Sequence, residues 1–145
     1  MMRLTRAGEY AVRCVLYLSA QEEGKIVRRR DISKTMGVPG QFLGKIAQQL
    51  SRAGFLEIIQ GAKGGIRLTA SPMELNLLDV VEAIAGELSL NDCIIRPESC
   101  SRNDLCSVHL VWQKARRQLR ETLREATFES MLQTDSRMNT DLLVQ

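Results

Sequence analysis

The amino-acid sequence predicts a mainly α-helical chain with one small β-hairpin, and three observations support this expectation. Apolar side chains recur at helical spacing in three stretches before residue 54. Residues 55–70 then alternate as two short strands around a glycine-rich turn. Beyond residue 104, apolar side chains return at the three-and-four spacing of one long helix.

The first predicted helix runs from about Arg6 to Ala20, with Thr5 as its N-terminal cap. Its apolar side chains form one stripe that we expect to be buried: Ala11, Cys14, Val15 and Leu18. Cys14 lies within this stripe, so we interpret it as a small core residue and not as a ligand. After a turn, residues 26–27 are expected to form a very short strand.

Two further helices with a tight corner between them come next. The first spans Arg30 to about Met36, and "GVPG" at 37–40 ends it because glycine and proline both stop helices. The second spans about 39–53 over an apolar back at Leu43, Ile46, Ala47 and Leu50. "FLEIIQ", "GAKGG" and "IRLTA" then predict strand, turn and strand from 55 to 70. A helix-turn-helix followed by a β-ribbon predicts a winged helix-turn-helix domain at residues 1–70.

The second half is predicted to contain a connecting helix, a cysteine-bearing loop and a long helix. The connecting helix lies in 71–92 and is capped by Asn76, and the loop covers 93–106. The dimerisation helix segment covers 104–132: its long helix runs from near Asp104 to about Ala126, and a short apolar turn follows Thr127. Residues 133–145 are expected to form a flexible tail. One helix cannot bury a heptad-like stripe by itself, so the stripe predicts a homodimer. Its members are Leu105, Val108, Trp112, Ala115 and Leu119.

The net charge of +3 is unevenly divided between the two halves. Residues 1–70 hold 12 Lys or Arg and 5 Asp or Glu, whereas residues 71–145 hold 8 and 12. A basic winged helix of this kind favours double-stranded DNA as the partner. A winged helix used only for protein contacts is the alternative, and strong salt dependence of DNA binding would argue against it.

Recognition of DNA is expected from the N-terminal part of the second helix of the pair, where side chains meet base edges. Gln41 is suited to an adenine edge and Phe42 to a thymine methyl group. Arg28, Arg29 and Arg30 are expected at phosphates, and Lys63 at the wing tip in the minor groove or on phosphate. The complete set of candidate DNA-binding residues is Arg28, Arg29, Arg30, Gln41, Phe42, Lys45, Gln48, Gln60 and Lys63.

Three of the four cysteines and the only histidine lie within "CIIRPESCSRNDLCSVH" at 93–109. Thiolates with an imidazole suit zinc, copper(I) or an iron–sulfur cluster. Six residues separate Cys93 from Cys100 and five separate Cys100 from Cys106, which is wider than the knuckles of structural zinc sites. The spacing favours an iron–sulfur cluster, with zinc and a metal-free thiol or disulfide switch as alternatives.

Several motifs together resemble the Rrf-two family of bacterial winged-helix transcriptional regulators. They are "RLTRAGEYAV" at 3–12, "DIS" at 31–33, "QGAKGG" at 60–65 and the Cys…Cys…Cys-x-x-His-x-x-Trp pattern that ends at Trp112. The resemblance runs from Arg3 to about Leu132. It implies a DNA-binding homodimer crossed through the long helix, and a cluster of two or four irons whose state sets repression or activation.

By this resemblance, Cys93, Cys100 and Cys106 are the cluster ligands and His109 is the fourth. Glu9, reaching across from the other subunit, is the alternative fourth ligand. The implied function is a regulator, with repression as the expected mode, that responds to redox state, nitric oxide or iron–sulfur status. His109 is favoured because it lies one helical turn from Cys106.

Three features of the sequence depart from the pattern of the family that it resembles. The first cysteine spacing is one residue longer than usual, Gln60 stands where the wing often carries arginine, and Gly44 removes a base-reading side chain.

An enzyme with a Cys106–His109 nucleophile is disfavoured, since the sequence has no second histidine and no phosphate-binding glycine loop. The N-terminus lacks the pattern of a secretory signal and no apolar run approaches the length of a membrane span, so we expect a cytoplasmic protein.

Overall fold

Residues 4–144 are described in a computed structural model, and over this range they form seven α-helices and one two-stranded antiparallel sheet. The predicted fold class is confirmed. In chain order the elements are α1 (Arg6–Ser19), α2 (Arg29–Met36), α3 (Gly40–Arg52), β1 (Leu56–Ile59), β2 (Gly65–Leu68), α4 (Leu77–Ala85), α5 (Asp92–Ile95), α6 (Ser107–Glu125) and α7 (Phe128–Val144).

Local signals in the sequence explain where the first three helices begin and end. The hydroxyl of Thr5 accepts a hydrogen bond of 3.1 Å from the Gly8 amide and so caps α1. Helix α2 ends at Gly37, whose φ of 65° is the left-handed conformation that glycine adopts most easily. The apolar stripes of α1 and α3 face each other in the core, where Cys14 is fully buried as predicted.

The wing is a hairpin in which Leu56 pairs with Leu68 and Ile58 with Ile66. A third segment joins it at Val27, which exchanges two backbone hydrogen bonds of 2.8 Å with Ile66. The very short strand expected at 26–27 is therefore present as a single bridge. These bonds hold the wing against the segment that leads into α2.

The long helix ends where the sequence predicted, since α6 ends at Glu125, and a further helix, α7, begins at Phe128. Backbone bonds to the segment before α4 replace helical bonds at the break: the Leu77 amide donates to the Ala126 carbonyl at 2.9 Å, and the Phe128 amide donates to the Leu75 carbonyl at 3.1 Å. Phe128 is fully buried in the same core as α1 and α3. The short apolar turn expected after Thr127 is instead the start of α7, which these tertiary contacts hold in place.

Two other expectations in the second half need correction. Helix α6 begins at Ser107 and not near Asp104, because residues 97–105 form two short 3-10 turns, so Leu105 precedes the helix. The segment from 133, expected to be a tail, is helical as far as Val144. The Thr127 hydroxyl accepts a hydrogen bond of 3.1 Å from the Ser130 amide at the start of α7, and no glycine or proline follows to stop the helix.

We expect Phe128→Ala to lower the free energy of unfolding by about 3–5 kcal/mol, since it removes a large, fully buried side chain from the core. Met138→Ala on the same helix is the control, because Met138 is 60% exposed. Urea unfolding followed by circular dichroism, at one fixed protein concentration, measures both variants. Equal small effects of the two changes would contradict this placement of Phe128.

Candidate metal centre and nucleic-acid interface

All nine side chains predicted to contact DNA are exposed. Gln41, Phe42, Lys45 and Gln48 lie on the outer surface of α3, whose opposite face is buried. Arg28 precedes α2, while Arg29 and Arg30 occupy its first turn. Gln60 and Lys63 lie at the tip of the wing. The structure thus presents a basic surface made of α3, the start of α2 and the wing.

Phe42 has a packing role that the sequence did not indicate. Its ring lies 5.6 Å from the ring of Tyr10, tilted by 58°, although 46% of the residue remains exposed. The guanidinium of Arg13 lies 5.7 Å from the centre of the same tyrosine ring. The start of α3 is thereby fixed to α1, and only part of the Phe42 ring is available to a base.

Arg29 lies across α3 at Gly44. A Cβ atom built at Gly44 would be 3.8 Å from the Nη1 atom of Arg29. The absence of a side chain at this position therefore lets a guanidinium from α2 lie against the outer face of α3. The sequence predicted the loss of a base-reading side chain at Gly44, but it gave no signal that Arg29 approaches the same place.

The glycines of "QGAKGG" are required by close backbone contacts. A Cβ atom at Gly64 would lie 2.1 Å from the Ile59 carbonyl oxygen, and one at Gly65 would lie 2.3 Å from the Val27 carbonyl oxygen. No side chain fits at either position. The tip of the wing is therefore a tight, glycine-lined turn that presents Lys63 to solvent.

The cysteine loop leaves the winged helix beside α6 and is held there by side chains of that helix. Arg116 forms an ion pair with Glu87, and its Nε atom donates to the Leu88 carbonyl at 2.9 Å. Arg120 donates to the Glu82 carboxylate at 2.5 Å, and the same carboxylate accepts from the Leu88 amide at 2.8 Å. These contacts fix the segment 82–88, at the end of α4, against the middle of α6.

One turn of α6 further towards its start, Trp112 and His109 contact the loop itself. In the amide orientation that satisfies both of its groups, Asn91 accepts a hydrogen bond of 2.9 Å from the indole Nε1 of Trp112. The His109 ring is 8% exposed, with Nδ1 3.5 Å from the Sγ atom of Cys93. Its Nε2 atom lies 2.9 Å from the Nε2 atom of Gln113. We call the set Asn91, Cys93, His109, Trp112 and Gln113 the loop–helix junction.

Cys93 and His109 are thus brought together, whereas Cys100 and Cys106 are not gathered with them. Cys100 is exposed and Cys106 is half-buried at the residue before α6. Over residues 4–144, no three His, Cys, Asp or Glu side chains are close enough to share a metal ion. His109 lies one turn of α6 after Cys106, and its ring contacts two partners that the sequence did not indicate: Cys93, which is 16 residues away in the chain, and Gln113.

Three thiols and an imidazole on one connection nevertheless fit a thiolate-bound centre in kind, and Cys93 with His109 supplies two adjacent donors. The fourth cysteine does not belong to this set. Burial raises the pKa of Cys14 to about 12, so its thiol stays protonated and is a poor ligand.

Glu9 is exposed on the first turn of α1 and lines an open groove of about 650 Å³ between α1, α4 and α6. The groove is mainly apolar, and Ser89 and Leu90 at the start of the cysteine loop also line it. Glu9 therefore faces the entrance of this loop within its own chain. Its predicted contribution from a second subunit is not tested by a single chain.

Helix α6 carries an exposed apolar face beside the junction. Val108, Val111 and Leu119 are 52%, 62% and 39% exposed, and Ala115 lies between them. Trp112, predicted as part of this stripe, turns instead towards Asn91, while Val111 belongs to the stripe and was missed. Within residues 4–144, no helix combines the length and apolar character needed to cross a bilayer.

A winged helix-turn-helix with a basic recognition surface, joined to a sulfur-rich loop, defines the class of helix-turn-helix transcriptional regulators. The family model of Rrf2, described as "Iron-dependent Transcriptional regulator", matches residues 4–134. The chain therefore belongs to the Rrf2 family of DNA-binding transcriptional regulators.

Curated relatives agree with this membership, and a solved structure has the same fold. The chain is 34% identical to "Protein aau3" of Rhizobium meliloti over 95% of its own length and 90% of that protein. It is 30% identical to "HTH-type transcriptional regulator NsrR" of Geobacillus kaustophilus over 91% and 90% of the two chains. The structure of CymR, "the Global Cysteine Regulator of B. subtilis", superposes with a TM-score of 0.72 at 21% identity, covering 90% of this chain and 96% of that one.

Proposed function

We propose that this protein is a homodimeric transcriptional regulator whose affinity for its operator is set by an iron–sulfur cluster. Cys93, Cys100 and Cys106 hold the cluster, and His109 is the fourth ligand. The observation that carries the proposal is the contact between Cys93 and His109, which pairs two donors at the point where the cysteine loop meets α6. The printed description of the family, an iron-dependent regulator, supports the choice of iron.

A bound cluster would supply a centre that responds to oxidants, nitric oxide or iron shortage. The response depends on the chain's own residues. Cys93 is already held beside α6, so gathering the other ligands requires Cys100 and Cys106 to move towards it. Cys106 directly precedes Ser107, the first residue of α6, so this movement acts on the start of that helix.

Helix α6 transmits the movement because it is fixed to the winged helix at both its middle and its end. Arg116 and Arg120 bind the end of α4, and Phe128 anchors the turn after α6 in the core. Two recognition helices must lie about 34 Å apart to read successive major grooves. A small rotation of α6 in a dimer spoils this spacing, and about 2–3 kcal/mol of coupling changes DNA affinity by about 30–150-fold.

The exposed face of α6 supports the homodimer. Leu119 belongs both to this face and to the lining of the apolar groove between α1, α4 and α6, so the two surfaces are continuous. A second copy of α6 could cover this continuous apolar surface. Glu9 lies in the same groove and remains the alternative fourth ligand, reached by the loop of the partner subunit.

A metal-free thiol switch is the second candidate function. The exposure of Cys100, which leaves this thiol open to oxidants, favours it. In that mechanism two of the loop thiols form a disulfide and lose two hydrogens to an oxidant. Zinc on the same thiols is the third reading, and metal analysis separates it from iron.

Protein purified without oxygen should be coloured and contain iron and acid-labile sulfide. Cys93→Ala, Cys100→Ala and Cys106→Ala should each lose most of the visible absorption, because each removes a thiolate ligand. Cys14→Ala is the matched control and should keep it, since Cys14 is buried in the core. Colourless wild-type protein that contains zinc would support the zinc site instead of the cluster. Colourless protein whose mass is lower by two hydrogens would support the disulfide switch.

On a duplex selected from a random pool, Arg28→Ala should weaken binding and lower the salt slope, d log K/d log[salt], by about 0.9 in magnitude, since one phosphate contact is lost. Arg117→Ala makes the same change of charge at an exposed site on α6, outside the basic surface, and should leave the slope unchanged. Fluorescence anisotropy over a series of salt concentrations measures both. An unchanged slope for Arg28→Ala would remove this residue from the interface.

Val111→Glu should weaken the dimer by about 10–100-fold, because it places a charge without a partner in an apolar interface. Leu110→Glu is the matched control: Leu110 is 66% exposed and projects from a different side of α6. Sedimentation equilibrium gives both dissociation constants. If the control dissociates the dimer and Val111→Glu does not, the interface lies elsewhere on the helix.

A further inference from the structure

His109 is held between two polar partners on opposite sides of its ring. Its Nε2 atom lies 2.9 Å from the Nε2 atom of Gln113, one turn further along α6. Its Nδ1 atom lies 3.5 Å from the Sγ atom of Cys93, on the cysteine loop. His109 is only 8% exposed, whereas Gln113 lies on the exposed surface of α6.

The chemistry of the two groups fixes the proton in this arrangement. An amide nitrogen only donates hydrogen bonds, so the Nε2 atom of His109 accepts from Gln113. A neutral imidazole carries one proton, which therefore resides on Nδ1 and is directed at the sulfur of Cys93. Gln113 occupies one nitrogen of the ring and leaves only the other facing the loop.

The rest of the loop–helix junction keeps the ring in this orientation. Trp112 donates to Asn91 at 2.9 Å, and Arg116 donates to the Leu88 carbonyl at 2.9 Å, so the segment just before Cys93 is tied to α6 at two points. Turning the ring over would break the Gln113 bond and direct Nε2 at the loop.

We propose that Gln113 is a positioning residue for the metal centre: it holds His109 so that Nδ1, and not Nε2, is the ring atom presented to iron. This inference rests on the proposed function. Bonding through Nδ1 requires its proton to leave and Nε2 to gain one, which keeps the ring neutral. Gln113 then accepts the Nε2–H bond through its amide oxygen after the amide group turns over.

The test uses the fact that the chain has a single histidine, so an isotope label in that residue reports on one ring. Full-length protein is prepared with 15N at either Nδ1 or Nε2 of histidine, loaded with its cluster without oxygen, reduced, and studied by pulsed electron paramagnetic resonance. We expect the strong hyperfine coupling from the Nδ1 label. Strong coupling from the Nε2 label in iron-loaded protein overturns this inference alone. Strong coupling from neither label overturns it together with the assignment of His109 as the fourth ligand.

Variants separate positioning from a structural role. Gln113→Leu should lose the Nδ1 coupling and shift the reduction potential, and a chelator should remove its iron about 10-fold faster. Gln113→Glu keeps an acceptor for the Nε2 proton and should retain the coupling, while Gln118→Leu, exposed on the same helix, should behave as wild type. Wild-type behaviour of Gln113→Leu overturns the role of Gln113.

A measurement on metal-free protein distinguishes failure of this inference from failure of the proposed function. In 15N–1H correlation spectra of the labelled imidazole, Gln113→Leu should move the Nε2 resonance and Gln118→Leu should not. If the Nε2 resonance does not move in Gln113→Leu, the contact between Gln113 and His109 is absent, and this result does not depend on metal binding. Wild-type protein that binds no iron overturns the proposed function, and with it the role of Gln113 at a metal.

Discussion

The carboxylate of Glu82 joins the two parts of this molecule. It accepts from Arg120 of α6 at 2.5 Å and from the Leu88 amide at 2.8 Å, and the side chains of the ion pair are only 19% and 20% exposed. Charge-assisted bonds in such surroundings contribute about 1.5–3 kcal/mol. Because Leu88 begins the connection to the cysteine loop, the same carboxylate sets where this loop starts and how α6 lies on the winged helix.

The proposed sensing mechanism depends on this arrangement. A loop closed at one end by Glu82 and Leu88, and at the other by the start of α6, has little freedom except between residues 92 and 106. In the proposed mechanism, a change among its thiols reaches α6 through Cys106, which directly precedes the first residue of that helix. At the far end of α6, Phe128 returns the chain to the core of the DNA-binding domain.

Much of the fold could be predicted because its determinants are local. The cap at Thr5, the left-handed Gly37 and the alternating wing strands are each encoded within a few residues, and the structure has all three. The docking of α7 after the end of α6 could not be predicted, since it depends on hydrogen bonds to residues 75–77, about fifty residues earlier in the chain.

The residues of the candidate site were likewise only partly predictable from the sequence. The spacing of the cysteines identified the loop, and the exposure of all nine DNA-binding candidates agrees with a DNA-binding surface. The partner of His109 was missed because sequence proximity favoured Cys106, while the fold brings Cys93 from 16 residues away. Gln113 gave no signal at all, since a glutamine on a charged helix is indistinguishable from a surface residue until its contacts are known.

Trp112 gives the protein an intrinsic optical reporter. It is the only tryptophan in the chain, and its indole donates to Asn91 two residues before Cys93. The ultraviolet emission of this indole therefore arises entirely from the junction of loop and helix. A coloured centre on the neighbouring thiols would quench that emission by energy transfer, so occupancy can be followed in unlabelled protein while it is bound to DNA.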